Sequence, residues 1–319
     1  MSRKFNNKYL VIILVLLGAL FVFIKFYKSP RTEKTLRTDI VQIDTSKVSK
    51  IVINPSSEPG SEVIFRRETG NEWTVNNGKV DAKTGKNSLK NLLSQLVEIK
   101  PIRLESRSKE SWKDYNLTDS AATRILAYED DEEILNIYIG KFTYQQTNDP
   151  YSGGRGGVKG TSYVRLAGED EIYAVDGFLS FAFNQPFSSW RDQTFLNIRK
   201  SDVTKLTFMY PGDSSFVVSL QNNKWMLGNQ LADSAKVAGY ISSISSKTFS
   251  KFDDEFEPVG NPPFWLTIEG NNMETVTVNA YQKEDGKFAM NSLQNPDVWF
   301  NSERNGLFKD IYKGMSSFK

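Results

Sequence analysis

Cysteine and histidine are both absent from the 319 residues, and the two absences remove most of the common catalytic machinery. Without histidine no imidazole can serve a Ser-His-Asp or Cys-His relay, and without either residue the usual zinc ligand sets cannot be assembled. The lack of cysteine also excludes a disulfide framework and a lipid-modified N-terminal cysteine. It does not choose between compartments, because a chain without thiols tolerates reducing and oxidising surroundings alike. Charge of one sign is not in excess either: 40 Lys and Arg against 38 Asp and Glu leave a formal +2. The local basic surplus sits around residues 25–37, which disfavours nucleic acid as a partner and suits anionic lipid headgroups.

What the chain does have is one long apolar run. Residues 9–24 carry no charge and are bracketed by Lys8 and Lys25, whose amines can snorkel towards headgroups. Extended to Tyr27, the segment reaches roughly 28 Å as a helix, close to the thickness of a bilayer core. Leu, Val, Ile and Phe occupy every face, unlike a helix buried on one side of a soluble core. No small-x-small cleavage site follows; the chain continues Lys25, Phe26, Tyr27, Lys28, Ser29, Pro30, so the run reads as an uncleaved signal-anchor with Tyr9, Leu10, Ile24 and Tyr27 at its two ends. Orientation is contested within the sequence. Arg3, Lys4 and Lys8 precede the span, while Lys25, Lys28, Arg31, Lys34 and Arg37 follow it, a count that favours an inside body, whereas large domains translocate regardless of charge.

Behind the anchor, 39% hydrophobic and 13% aromatic residues suffice for one large or two medium cores. The pattern repeats. Val48-Ser49-Lys50-Ile51 is echoed by Val203-Thr204-Lys205-Leu206, and the strands expected over 51–53, 63–65 and 72–75 answer those over 206–208, 216–220 and 224–227. Trp73 corresponds to Trp225, and Asp81 and Asp233 follow as turn or helix-capping residues. Leu89, Leu92, Leu93 and Leu96 mark one amphipathic helix, Val237, Tyr240, Ile241 and Ile244 the other. Hairpins follow over 125–139 and 264–281, then strand pairs over 162–175 and 287–300, then short apolar segments around Phe181 and Phe308. The fold class expected is α+β: two tandem similar units, each a mainly antiparallel sheet with one packed amphipathic helix, behind a single N-terminal transmembrane helix. The divisions are a flank at 1–8, the anchor at 9–27, a juxtamembrane linker at 28–46, a first unit at 47–198 and a second at 199–319.

Trp73, Tyr115-Asn116-Leu117, Tyr138-Ile139-Gly140-Lys141, Tyr163-Val164-Arg165, Ile172-Tyr173-Ala174-Val175 and Trp190-Arg191-Asp192, in this order and spacing, resemble a bacterial family known as domain of unknown function 4340. Asn116 stands where that family usually shows Gly, and the second unit has no clear equivalent of the turn before Pro262 and Pro263. The resemblance implies a membrane-anchored tandem protein, single-pass in the bacterial inner membrane with its body extracytoplasmic. Such proteins are often seen with gliding-motility-type ABC transporter components, which implies an accessory role.

Candidate chemistry is sparse. The acidic run 129–133 falls where a hairpin must turn, and 253–255 lies in a loop before Pro258; both read as solvated charge, without the ligand spacing of a calcium loop. The glycine-rich stretch from Ser152 to Arg165 offers Arg155 and Lys159, but Gly160 separates Lys159 from Thr161 and a strand follows, so it is not a phosphate loop. It reads as a contact loop without a counterpart in the second unit. Trp190, Arg191 and Asp192 suit either partner contact or pinning of the two units. Trp73, Trp225, Trp265 and Trp299 sit in strand patterns and read as core. The expectation is a non-enzymatic accessory or scaffold protein acting by protein contacts within an envelope or transporter complex, with no cofactor and no metal. The rivals are an envelope glycan or ligand binding module and a carboxylate-dependent hydrolase.

Overall fold

The computed structural model describes residues 39–69, 72–147 and 157–319. The anchor expected at 9–27, with Tyr9, Leu10, Ile24 and Tyr27, lies outside the described residues; among those described, no helix is long and apolar enough to cross a membrane.

The molecule is α+β, dominated by antiparallel sheet. Strands β1 (Lys50–Asn54), β2 (Val63–Arg67), β3 (Trp73–Asn76) and β4 (Asp81–Lys83) lead into helix α1 (Lys86–Val97). They are followed by β5 (Pro101–Ser106), β6 (Thr123–Glu129), β7 (Glu132–Thr147), β8 (Gly157–Leu166) and β9 (Ile172–Asp176). The sheet order is β4-β3-β2-β1-β6-β7-β8-β9-β5. Helices α2 (Leu179–Phe183) and α3 (Phe187–Trp190) and strand β10 (Thr194–Asn197) then cross to the second sheet. Its members are β11 (Val203–Met209), β12 (Phe216–Gln221), β13 (Lys224–Leu227), β14 (Gln230–Leu231), β16 (Phe264–Gly270), β17 (Val276–Gln282), β18 (Phe288–Ser292) and β19 (Asn295–Ser302), with helix α4 (Ser234–Ile244) after β14. Their order, β14-β13-β12-β11-β16-β17-β18-β19, matches the first sheet strand for strand. β15 (Ser246–Thr248) pairs instead with β10.

Period-two alternation explains the cores. Ile51, Ile53, Phe65, Val75, Ile125, Ile137, Ile139 and Val164 bury one face of the first sheet beneath Leu92 and Leu96 of α1. Leu206, Phe208, Val218, Leu266, Ile268, Val278 and Met290 do the same in the second, beneath Val237, Tyr240, Ile241 and Ile244 of α4. The first sheet is covered on its other face as well, where Leu117, Ala122, Tyr138, Tyr163, Ile172 and Ala174 form a separate cluster with Trp112 and Tyr115. Burial on both faces is why β9 reads as an unbroken apolar run rather than an alternating one.

Two details differ from the sequence reading. Asp233 does cap α4, accepting from the backbone N–H of Ala235 at 2.9 Å and of Lys236 at 3.1 Å. Asp81 caps nothing: it opens β4 opposite Asn76, and Gly85 holds the cap position of α1 without a side-chain bond. The spare residues between Asp81 and the helix are therefore strand, not an added helical turn. The second is β5, absent from the sequence reading, which covers the edge of β9. The second sheet has a vestige of it: Phe252 bridges Phe300, Asp253 N–H donates to the Trp299 carbonyl, and Asn301 N–H to that of Lys251.

The second core is rich in tyrosine. The hydroxyls of Tyr210 and Tyr240 each donate to a backbone carbonyl at 2.6 Å, on Lys313 and Ile311, and that of Tyr312 donates to Val278 at 2.9 Å. Burial pushes all three phenols above their ordinary range. In the unfolded chain they would ionise near pH 10. Since the folded values are raised, their contribution to stability is complete below pH 10 and is lost as pH climbs from there towards the folded values. The urea midpoint should hold steady up to about pH 10 and then fall, and tyrosinate absorbance at 295 nm should show a delayed fraction appearing only with unfolding. A smooth, complete titration in the folded protein would contradict this packing.

A candidate site in the cleft between the two sheets

The junction is built from three consecutive residues with three different tasks. Trp190 is buried against Phe65, ring centroids 5.4 Å apart and edge-on, and its carbonyl accepts from Gly85 N–H, so it belongs to the first core. Arg191 turns away in extended backbone and reaches the other half, where its two terminal nitrogens grip the Asp254 carboxylate at 2.7 and 2.8 Å. Its guanidinium lies 3.7 Å from the ring centre of Phe252. Asp192 closes the turn: its N–H donates to the Lys83 carbonyl and its carboxylate accepts from Thr194 N–H at 2.9 Å. Phe195 and Leu196, on the first unit's side of the expected junction at 198/199, then enter the second core.

Above this pin lies a cleft of about 620 Å³. The β3–β4 hairpin supplies Lys79, Asp81 and Lys83; the second half supplies Asp253, Asp254, Phe256, Asn295, Asp297 and Trp299. Phe256, Tyr281 and Trp299 pack mutually, with centroids 4.8 to 5.6 Å apart. Lys283 holds Asp253 at 2.8 Å. Both members of the Asp253–Asp254 pair are thus engaged by cations, whereas Asp81 and Asp297, one from each half, make no ion pair among the described residues. Arg191 is 4% exposed, yet its Nε has no partner, and Nδ2 of Asn295 is likewise buried without one.

Lys159 lies on β8, exposed, 3.2 Å from Asp176. Arg155 lies outside the described residues. Gly160 beneath it in the hairpin has a packing reason, since a Cβ there would meet the Phe178 ring at 2.7 Å. The acidic run 129–133 forms the exposed β6–β7 turn, with Asp130 at φ 51°. The remaining motifs converge on the uncovered-looking but packed face of the first sheet. Arg165 is 2% exposed, sandwiched between the rings of Trp112 and Tyr138 at 3.8 and 3.6 Å, and donates to the Leu117 carbonyl and to Asp119, each at 2.7 Å. Asn116 has φ 54°, the left-handed region that glycine or asparagine fills best.

A family model described as domain of unknown function (DUF4340) matches residues 73–260. The chain belongs to this family. The DUF4340 match begins at β3 and includes α1, the Arg165 sandwich and both partners of the Arg191–Asp254 pair; it ends before Lys283, Asn295 and Trp299. No curated protein and no solved structure matches the chain.

Proposed function

We propose that this protein is a membrane-anchored, non-enzymatic accessory or scaffold of a bacterial envelope or gliding-type ABC-transporter complex, its body extracytoplasmic and its work done by protein contacts. The observation that carries this reading is the arm formed by β7 and β8. Residues 142–147 pair with 157–162 beyond the part of the hairpin shared with the second sheet, where β17 and β18 are far shorter. The arm and its flank expose Tyr144 (69%), Val158 (57%) and Phe181 (62%), with Phe142 and Phe178 packed against Phe181. Large apolar side chains held open on a rigid strand pair suit a docking surface.

Placement supports it too. Asp39 and Ile40, where the chain arrives from the apolar run, lie beside residues 133–136 at the opposite end of β7. From Asn136 to Thr147, at about 3.3 Å a residue, is roughly 35 Å, so the arm is carried away from the end nearest the anchor. Crosslinking in intact cells, followed by solubilisation and capture of the full chain, should recover transporter subunits. Recovery should fall at least tenfold for a Tyr144→Ser/Val158→Ser/Phe181→Ser variant. Capture of no stoichiometric protein, or undiminished capture by the variant, would sink the reading.

A further inference from the structure

We infer that the cleft between the two sheets is a binding site for a neutral carbohydrate, separate from the protein contacts proposed for the arm. Charge argues for a neutral ligand. Arg191 is matched by Asp254 and Lys283 by Asp253, and the charges left over on the walls, Lys79 and Lys83 against Asp81 and Asp297, balance. A polyanion such as a nucleotide or nucleic acid would meet as many carboxylates as amines.

Hydroxyl groups both donate and accept, and the cleft offers both kinds of partner. Arg191 Nε and Asn295 Nδ2 are buried donors left unpaired by the protein; a buried donor without a partner carries a desolvation penalty that a ligand oxygen relieves. The carboxylates of Asp81 and Asp297 accept. Trp299, braced by Phe256 and Tyr281, supplies the flat apolar surface on which the C–H face of a pyranose ring packs. A volume of about 620 Å³ is within the range of small-ligand sites. The ligand would touch both sheets, so its binding would also fasten the two halves together.

Saturation-transfer difference NMR on the full chain, in a detergent without a sugar head, tests this with maltotriose, cellotriose and triacetylchitotriose as probes. Transfer to ring protons of at least one trisaccharide is expected, with Kd raised at least tenfold in Trp299→Ala and in Asn295→Leu while circular dichroism is unchanged. If Trp299→Ala fails to fold, Asn295→Leu on the edge strand decides the matter. No transfer from any of the three sugars, or transfer undiminished in the folded variants, would overturn the site.

Discussion

Gly140→Ala is expected to destabilise the protein by about 3 kcal/mol, the upper end of ordinary overpacking. A Cβ at this position would lie 2.1 Å from the Tyr115 carbonyl oxygen and 3.0 Å from Leu117 Cγ and Cδ2. Neither neighbour can yield cheaply. The Tyr115 carbonyl is already bonded to Lys141 N–H at 2.9 Å, and Leu117 is fully buried with its own carbonyl held by Arg165. The clash is backbone against backbone, so relief requires lifting the segment 112–117 off the sheet and opening the Trp112–Arg165–Tyr138 sandwich. Gly239→Ala in α4 is the control. Nothing lies within 4 Å of the added Cβ there, and alanine in a helix interior is favoured over glycine by about 0.5 to 1 kcal/mol. Urea unfolding of the full chain in detergent should therefore move in opposite directions for the two. A Gly140→Ala midpoint equal to wild type would mean that the 112–117 segment is not seated as described.

Asp254→Ala should cost a comparable amount, about 3 kcal/mol, for an electrostatic reason. Removing the carboxylate leaves the Arg191 guanidinium 4% exposed and without its counter-charge. The Asp254 side chain, by contrast, is 34% exposed and could be rehydrated where it stands. Loss of Arg191 therefore costs mainly its packing on Phe252 and Phe187. The double variant Arg191→Met/Asp254→Ala should recover more than half the loss of Asp254→Ala, because it removes the stranded charge and keeps an apolar stem. Since this pair joins the halves, Asp254→Ala should also split one unfolding transition into two. A single transition at the wild-type midpoint would show that the halves are held by other contacts alone.

The legible parts of the fold were those encoded within a short window. The i, i+3, i+4, i+7 stripes of α1 and α4, and the alternation in β1, β11 and β16, each follow from which residues must face one core. So does the echo of Val48 and Ile51 in Val203 and Leu206, all four buried in equivalent strands. β5 was not legible: Pro101, Arg103 and Glu105 give it no alternating signature, and it is a strand because β9 offers an unpaired edge. Asp81 and Asp233 look alike locally; only the pairing of Asp81 opposite Asn76 separates a strand residue from a helix cap.

The candidate site divides in the same way. Trp190-Arg191-Asp192 stood out because an arginine between an aromatic and an acid needs a partner, yet the partner is 63 residues distant, and charge sign alone cannot choose Asp254 from 38 acidic residues. Trp299 read as core, and Phe256 and Asn295 carried no signal at all. The sequence by itself determined the α+β class, the duplication, the apolar run and the exclusion of imidazole and thiol chemistry, because these depend on composition and local periodicity. Tertiary structure alone decided which charges are buried, which donors lack partners and which side chains meet across the cleft. Those are properties of residues brought together from distant parts of the chain, and burial sets their energies only once the two halves have closed on each other.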